Sequence, residues 1–208
     1  MVVHHVPKIV KWLFPKLTWN RSRQDHYIYL TFDDGPVPGV TDFVLDELGK
    51  HHVKATFFCV GDNVRKHPDL AKRIVEEGHQ IGNHTYNHLN GSKTEDARYF
   101  DNIAKCSDTI YEVTKIRPSL FRPPYGRIKG KQATFLSKDF EVVMWDVLSG
   151  DFDQNQPPKT CLLKTKRHTQ NGAIILFHDQ QKTAAVIREV LPAYLRFIQE
   201  SGFQAALL

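Results

Sequence analysis

Apolar and polar residues along this chain alternate between two periods. Residues 27–32 form a short run of β-forming residues that ends at Asp33-Asp34-Gly35-Pro36, a turn signal. Residues 41–50 then place Phe43, Val44, Leu45 and Leu48 at helical spacing. The same change of period recurs to the end of the chain. Strands are expected over 54–60, 80–82, 119–121, 140–145 and 172–177, and helices over 68–77, 94–114, 129–138, 158–167 and 184–200. Pro68 and Pro158 suit the first helical turn, where the missing N–H costs nothing. Pro192 predicts a kink in the last helix, and a final strand is expected over 203–207.

Strands separated by helices make parallel βαβ units. Six or seven such units in one α/β domain form either a closed barrel or an open doubly wound sheet. No dinucleotide-type glycine fingerprint follows the first strand. Polar residues instead recur just after strands: Asp33-Asp34, His84, Arg122, Asp146 and His178. In a parallel barrel those strand ends share one rim, where sites are built. The expected fold is therefore a distorted (β/α) barrel of about seven units over residues 25–208.

Residues 1–24 differ. They mix Val10, Trp12, Leu13, Phe14, Leu17 and Trp19 with Lys8, Lys11, Lys16, Arg21 and Arg23. A basic amphipathic segment either lies on a membrane surface or packs on the protein that carries it. Pro7 and Pro15 limit a long helix, and packing on the barrel is the expected role.

Composition adds little. The 208 residues are 41% hydrophobic and 25% charged, ordinary for a globular domain. The formal net charge of +5 is mild, and no basic cluster interleaved with aromatics points to nucleic acid. Cys59, Cys106 and Cys161 are odd in number and lack close spacing, so they read as core-filling thiols. No apolar run suggests a membrane span or a secretory signal, and a cytoplasmic location is the expectation.

The chemistry lies at the strand ends. His84 and His88 are four residues apart, a spacing that on a helical turn aims two imidazoles at one metal ion. With 11 histidines in the chain, one such pair can arise by chance. Asp33 and Asp34 form either a plain turn or a divided pair, one acid holding a metal and the other taking a proton from water. Arg122 either fixes a carboxylate or ends a rigid surface turn, stiffened by Pro123-Pro124 and followed by Gly126. His178 is placed to protonate a leaving group, or simply bonds its neighbour Asp179.

Together, Thr31-Phe32-Asp33-Asp34-Gly35-Pro36, Gly78 through Asn83, His84-Thr85-Tyr86-Asn87-His88, Arg122-Pro123-Pro124-Tyr125-Gly126 and Leu176-Phe177-His178 resemble the successive motifs of the polysaccharide deacetylases. These are the NodB homology domains of carbohydrate esterase family 4. The resemblance covers residues 27–203. It implies a divalent metal, usually zinc, with cobalt or another divalent ion as alternatives. Asp34, His84 and His88 would be ligands and Asp33 the catalytic base, tuned by Arg122. The backbone N–H of Tyr125 would hold an oxyanion, His178 would be the acid, and Leu176 would line the acetyl pocket. The implied partner is an N-acetylated sugar or oligosaccharide, from which the acetyl group is removed.

One motif departs from the pattern. The family's Asp-x-x-Asp-Trp corresponds here to Leu148-Ser149-Gly150-Asp151-Phe152. Either Asp146 or Asp151 is left to orient His178, and Phe152 to wall the pocket. An O-acetyl sugar esterase, or a weakly active barrel that only binds carbohydrate, are the alternative readings.

Overall fold

The computed structural model describes residues 2–208. Eight strands run in parallel: β1 (Tyr27–Asp33), β2 (Thr56–Cys59), β3 (Gln80–Asn83), β4 (Leu120–Phe121), β5 (Glu141–Val142), β6 (Val147–Leu148), β7 (Ile174–His178) and β8 (Gln204–Ala205). The sheet order is β5-β4-β3-β2-β1-β7-β6, and β8 pairs with the start of β1. The helices are α1 (Lys8–Leu13), α2 (Thr41–Lys50), α3 (Gly61–Lys66), α4 (Pro68–Glu76), α5 (Asp96–Thr114), α6 (Gly130–Leu136), α7 (Pro158–His168) and α8 (Ala184–Glu200).

A chain-length argument shows that this sheet is curled. β5 and β6 lie at opposite edges, yet only four residues, 143–146, join them. Seven strands laid flat would set the edges roughly 29 Å apart. The five steps from Val142 to Val147 reach roughly 18 Å at most. The edges must therefore approach each other, which makes a distorted (β/α) barrel with a seam between β5 and β6.

Residues 2–24 fill that seam. His5 bridges Val147, Thr18 bridges Val143 and Asn20 bridges Ala173. The side-chain anchor is Asp146, fully buried, whose carboxylate takes Lys11, Arg23 at 2.6 Å and His5 at 3.3 Å. Arg21 forks onto Glu141 at 2.6 and 3.0 Å. Val6, Trp19 and Met144 pack beneath.

Between the sheet and its helices the core is aromatic and aliphatic. Phe32 stacks between Phe57 and Phe177, with centroids 5.1 and 6.0 Å away. Leu30, Val44, Leu45 and Ile175 are also fully buried, and so are all three cysteines, which are free. α8 continues through Pro192 to Glu200.

Local patterning misleads in two places. Residues 140–145 read as one strand but form only β5 and an irregular link, with β6 following. The helices α1 and α3 escape the pattern because neither carries a periodic apolar face: α1 has no buried residue and α3 buries only Gly61 and Val64. Replacing Asp146 by Ala should lower the unfolding free energy by about 2 kcal/mol, since Lys11 and Arg23 lose their anion while staying partly hydrated. Urea denaturation checks this, with limited proteolysis as a probe of residues 12–17. An unchanged midpoint would mean that the backbone bridges alone hold the seam.

Candidate active site

Parallel register sets the height of each functional side chain. Asp33 pairs with Phe58 on one side and His178 on the other, Cys59 pairs with Asn83, and Asn83 pairs with Phe121. The residues that follow β3 and β4, His84 and Arg122, therefore meet Asp33, Asp34 and His178 at one rim. Asp33, Asp34, His84 and His178 border an open cavity of about 810 Å³ whose apolar wall includes Trp145, Leu148, Phe152 and Leu176, while Arg122 lies buried behind them.

The turn after β1 depends on glycine. Asp34 has a φ of 84°, and Gly35 donates its N–H to the Asp179 carboxylate at 3.0 Å. A Cβ on Gly35 would lie 2.0 Å from Asp179 Oδ2. That oxygen also accepts from the Thr41 hydroxyl at 2.6 Å. Burial pushes the Asp179 carboxyl up to about 7, against the Thr41 hydroxyl that favours its charge. Asp179 thus holds the turn and is not the partner of the His178 ring.

His84 and His88 are not on a helical turn. They sit on a loop in which Thr85 and His88 take left-handed backbone angles, φ 62° and 54°. Side-chain amides replace the missing helical bonds. Asn83 accepts from the Thr85 N–H at 2.8 Å, and Asn102 of α5 accepts from those of Tyr86 and Asn87 at 2.8 and 3.1 Å. Neither asparagine stands out as functional in the sequence, because their task is to hold backbone.

The loop brings three atoms of metal-ligand type together. Asp34 Oδ1 lies 2.9 Å from His88 Nε2 and 3.5 Å from His84 Nε2. One ligand atom from each residue lies within 4.8 Å of the other two. His84 Nδ1 donates to the Arg122 carbonyl at 2.7 Å, which leaves a lone pair on Nε2. His88 Nδ1 lies 3.1 Å from the Tyr125 hydroxyl. Asp34 Oδ1 is buried and satisfied by no hydrogen bond, while Gln180 donates to Oδ2 at 2.6 Å. Burial works to raise the Asp34 carboxyl, but His84, His88 and the charge of His178 outweigh it and hold it well below the carboxylate range. A buried acceptor without a donor, facing two imidazole nitrogens, suits a divalent cation with mixed N and O ligands.

Asp33 sits beside this cluster, 3.7 Å from His84 Nε2. The fully buried Arg122 gives it one N–H at 2.8 Å, a single bond and not a fork. The remaining guanidinium bonds go to Thr31 Oγ1 and the carbonyls of Val143 and Met144. Phe58 lies 4.1 Å under the guanidinium. Tyr125 follows at φ 61° with its ring exposed, and Gly126 must stay small because a Cβ there would meet Trp145 at 2.6 Å. Trp145, part of a run that reads as ordinary strand, is a wall residue the sequence did not reveal.

The altered fourth motif resolves in favour of Asp151. Its carboxylate accepts from His178 Nδ1 at 2.8 Å and from the His178 backbone N–H at 2.7 Å. Phe152 stands edge-on to the same ring at 5.4 Å. Burial works to lower the His178 pKa, but Asp151, with Asp34 and Asp33 behind it, brings it up to about 9. Asp146 is excluded as the orienting acid. Its N–H pairs with Ile174, at the opposite end of β7 from His178, and its carboxylate is held by Lys11, Arg23 and His5.

Replacing Arg122 by Met should destabilise the fold by about 3–5 kcal/mol, because Asp33 stays buried without its cation. In the Arg122→Met/Asp33→Asn double variant the loss should be smaller than the sum of the two single losses. Additive losses in chemical denaturation would place the two side chains in separate networks.

Residues 20–142 match the family model described as polysaccharide deacetylase. The peptidoglycan-N-acetylglucosamine deacetylase PgdA of Listeria monocytogenes is 36% identical over 165 residues, 79% of this chain and 35% of its own length. A peptidoglycan-N-acetylglucosamine deacetylase of Bacillus cereus is 42% identical over 153 residues, 73% of this chain and 55% of its own. This chain thus spans about a third to a half of the length of these relatives. The crystal structure of the Bc1960 peptidoglycan N-acetylglucosamine deacetylase superposes with a TM-score of 0.90 at 30% identity, covering 98% of this chain and 95% of that one. A shared barrel, a family match across more than half of the sequence and the motif order around one rim lead to a single assignment: the chain belongs to the polysaccharide deacetylase family.

Proposed function

We propose that this chain is a divalent-metal-dependent hydrolase that removes N-acetyl groups from an amino sugar, with N-acetylglucosamine units of a glycan as the substrate class. The observation that carries the reading is the unsatisfied, buried Asp34 Oδ1 facing His84 Nε2 and His88 Nε2, flanked by Asp33 on Arg122 and His178 on Asp151. Names of the relatives support the substrate class.

Asp34, His84 and His88 would hold the ion, zinc or another divalent metal. Its contribution when bound is Lewis acidity toward the amide carbonyl and a lowered pKa for attacking water. The protein groups divide the remaining work. Asp33, immobilised by Arg122, takes the proton from the water that attacks the carbonyl carbon. The Tyr125 backbone N–H steadies the oxyanion that develops there. His178 carries a proton at neutral pH and gives it to the departing sugar nitrogen, so that acetate and a free amine leave. Leu176, Leu148, Trp145 and Phe152 offer the acetyl methyl an apolar wall.

Acetate release from N-acetylglucosamine oligomers, with zinc, cobalt or chelator added, tests the reading. Chelator should abolish turnover and either ion should restore it. Ala at Asp34, His84 or His88 should remove metal and hydrolysis together, as read by elemental analysis and the same assay. Asp33→Asn should keep the metal and lower kcat by about 10²–10⁴-fold. Full metal content and full rate in His84→Ala would overturn the site.

The pH profile gives an independent check. His178 is the proton donor only below its pKa, so activity should fall as pH rises through about 9. Asp151→Asn removes the charge that raises this pKa, so the alkaline limb of kcat/KM should move down, toward or below the ordinary histidine value of 6.5. An unmoved limb would assign that limb to another group.

A further inference from the structure

Around α1 the N-terminal segment turns most of its apolar side chains outward. Among residues 2–24 there are five Lys or Arg side chains and no Asp or Glu. Three of the five turn toward the barrel, where Lys11 and Arg23 meet Asp146 and Arg21 meets Glu141. The large apolar side chains of α1 go the other way: Ile9 is 59% exposed, Trp12 74%, Leu13 57% and Phe14 52%. No residue of α1 is buried. Four consecutive positions, Trp12 to Pro15, are exposed, with Lys8 on one side and Lys16 on the other. Neither Lys8 nor Lys16 makes an ion pair among the described residues, which leaves both side chains available to a partner.

A protein surface seldom leaves so much contiguous apolar area in water without a use for it. Beside α1, the cleft shared with the loop after Tyr125 is lined by Leu13, Phe14, Lys16, Arg127 and other residues, none of them acidic. Tryptophan and aliphatic side chains between lysines, with no carboxylate alongside, complement an interface that is apolar beneath and negative at its surface.

We propose that α1 and its flanks, residues 8–16, form a docking site for an anionic lipid surface, with Ile9, Trp12, Leu13 and Phe14 entering the headgroup–acyl boundary and Lys8 and Lys16 meeting lipid phosphates. The segment's position gives this attachment a consequence. A second cleft, lined by Val3, Pro7 and Val10, shares Trp145, Leu148 and Phe152 with the candidate catalytic cavity. The docked segment therefore sits beside the opening of the site, which would favour glycan that lies close to a bilayer.

The test is cosedimentation of the full chain with vesicles of phosphatidylcholine alone and of phosphatidylcholine mixed with phosphatidylglycerol. The expected result is pelleting with the anionic vesicles, weakened by high salt. Trp12→Ser/Leu13→Ser should abolish it while leaving acetate release from soluble oligomers intact, since neither residue touches the catalytic groups. Lys8→Ala/Lys16→Ala should weaken it by roughly thirtyfold, two charges at the scale usual for basic residues near an anionic bilayer. Quenching of the tryptophan fluorescence of the unaltered chain by brominated lipid gives a reading independent of any variant. No pelleting and no quenching would overturn the proposal. So would equal pelleting of the Trp12→Ser/Leu13→Ser variant. A concentration-dependent dimer in light scattering that this variant abolishes would assign the face to a second copy of the chain and overturn it as well.

Discussion

Four residues join the two edges of a seven-strand sheet, and the rest of the molecule follows from that short link. A flat sheet would place β5 and β6 too far apart for residues 143–146 to span. The sheet curls, and the ends of β1, β3, β4 and β7 come round to face one cavity. The curl also leaves a seam that β5 and β6 do not close by themselves. Residues 2–24 complete it through three isolated bridges and the buried Asp146 carboxylate.

At the rim the electrostatics are arranged in three parts. Asp34, His84 and His88 bring a carboxylate oxygen and two imidazole nitrogens to one point. On one side Asp33 is fixed by a fully buried guanidinium whose other N–H groups are occupied by a hydroxyl and by backbone carbonyls. On the other side His178 is fixed by Asp151, which raises its proton affinity despite burial. A held carboxylate and an imidazole of raised proton affinity thus flank the same cluster.

The two acids near the altered motif show how the fold divides similar residues. Asp151 and Asp146 are five positions apart, and the sequence offers both for His178. β6 lies between them, so they project at opposite ends of a strand. Asp151 reaches the rim and Asp146 the seam. The same seam explains the reversed polarity of residues 8–16: Asp146 and Glu141 draw Lys11, Arg23 and Arg21 inward, and the apolar side chains of α1 are left outside.

The sequence by itself determined the class of fold and singled out the candidate residues that the structure gathers at one rim. Periodicity exposed the long helices and the buried strands, and the motif order carried Asp33, Asp34, His84, His88, Arg122 and His178, because covalent spacing after strand ends is a local property. What required the tertiary structure was everything that depends on contacts across the barrel. The histidine pair sits on a left-handed loop held by Asn83 and Asn102, where spacing alone suggests a helical turn. Asp179 supports Gly35 and leaves the His178 ring to Asp151. Trp145 becomes a cavity wall, and α1 turns its apolar face to solvent. Each of these depends on which atoms meet after the sheet has curled, and partners more than a hundred residues apart in sequence leave no periodic trace in it.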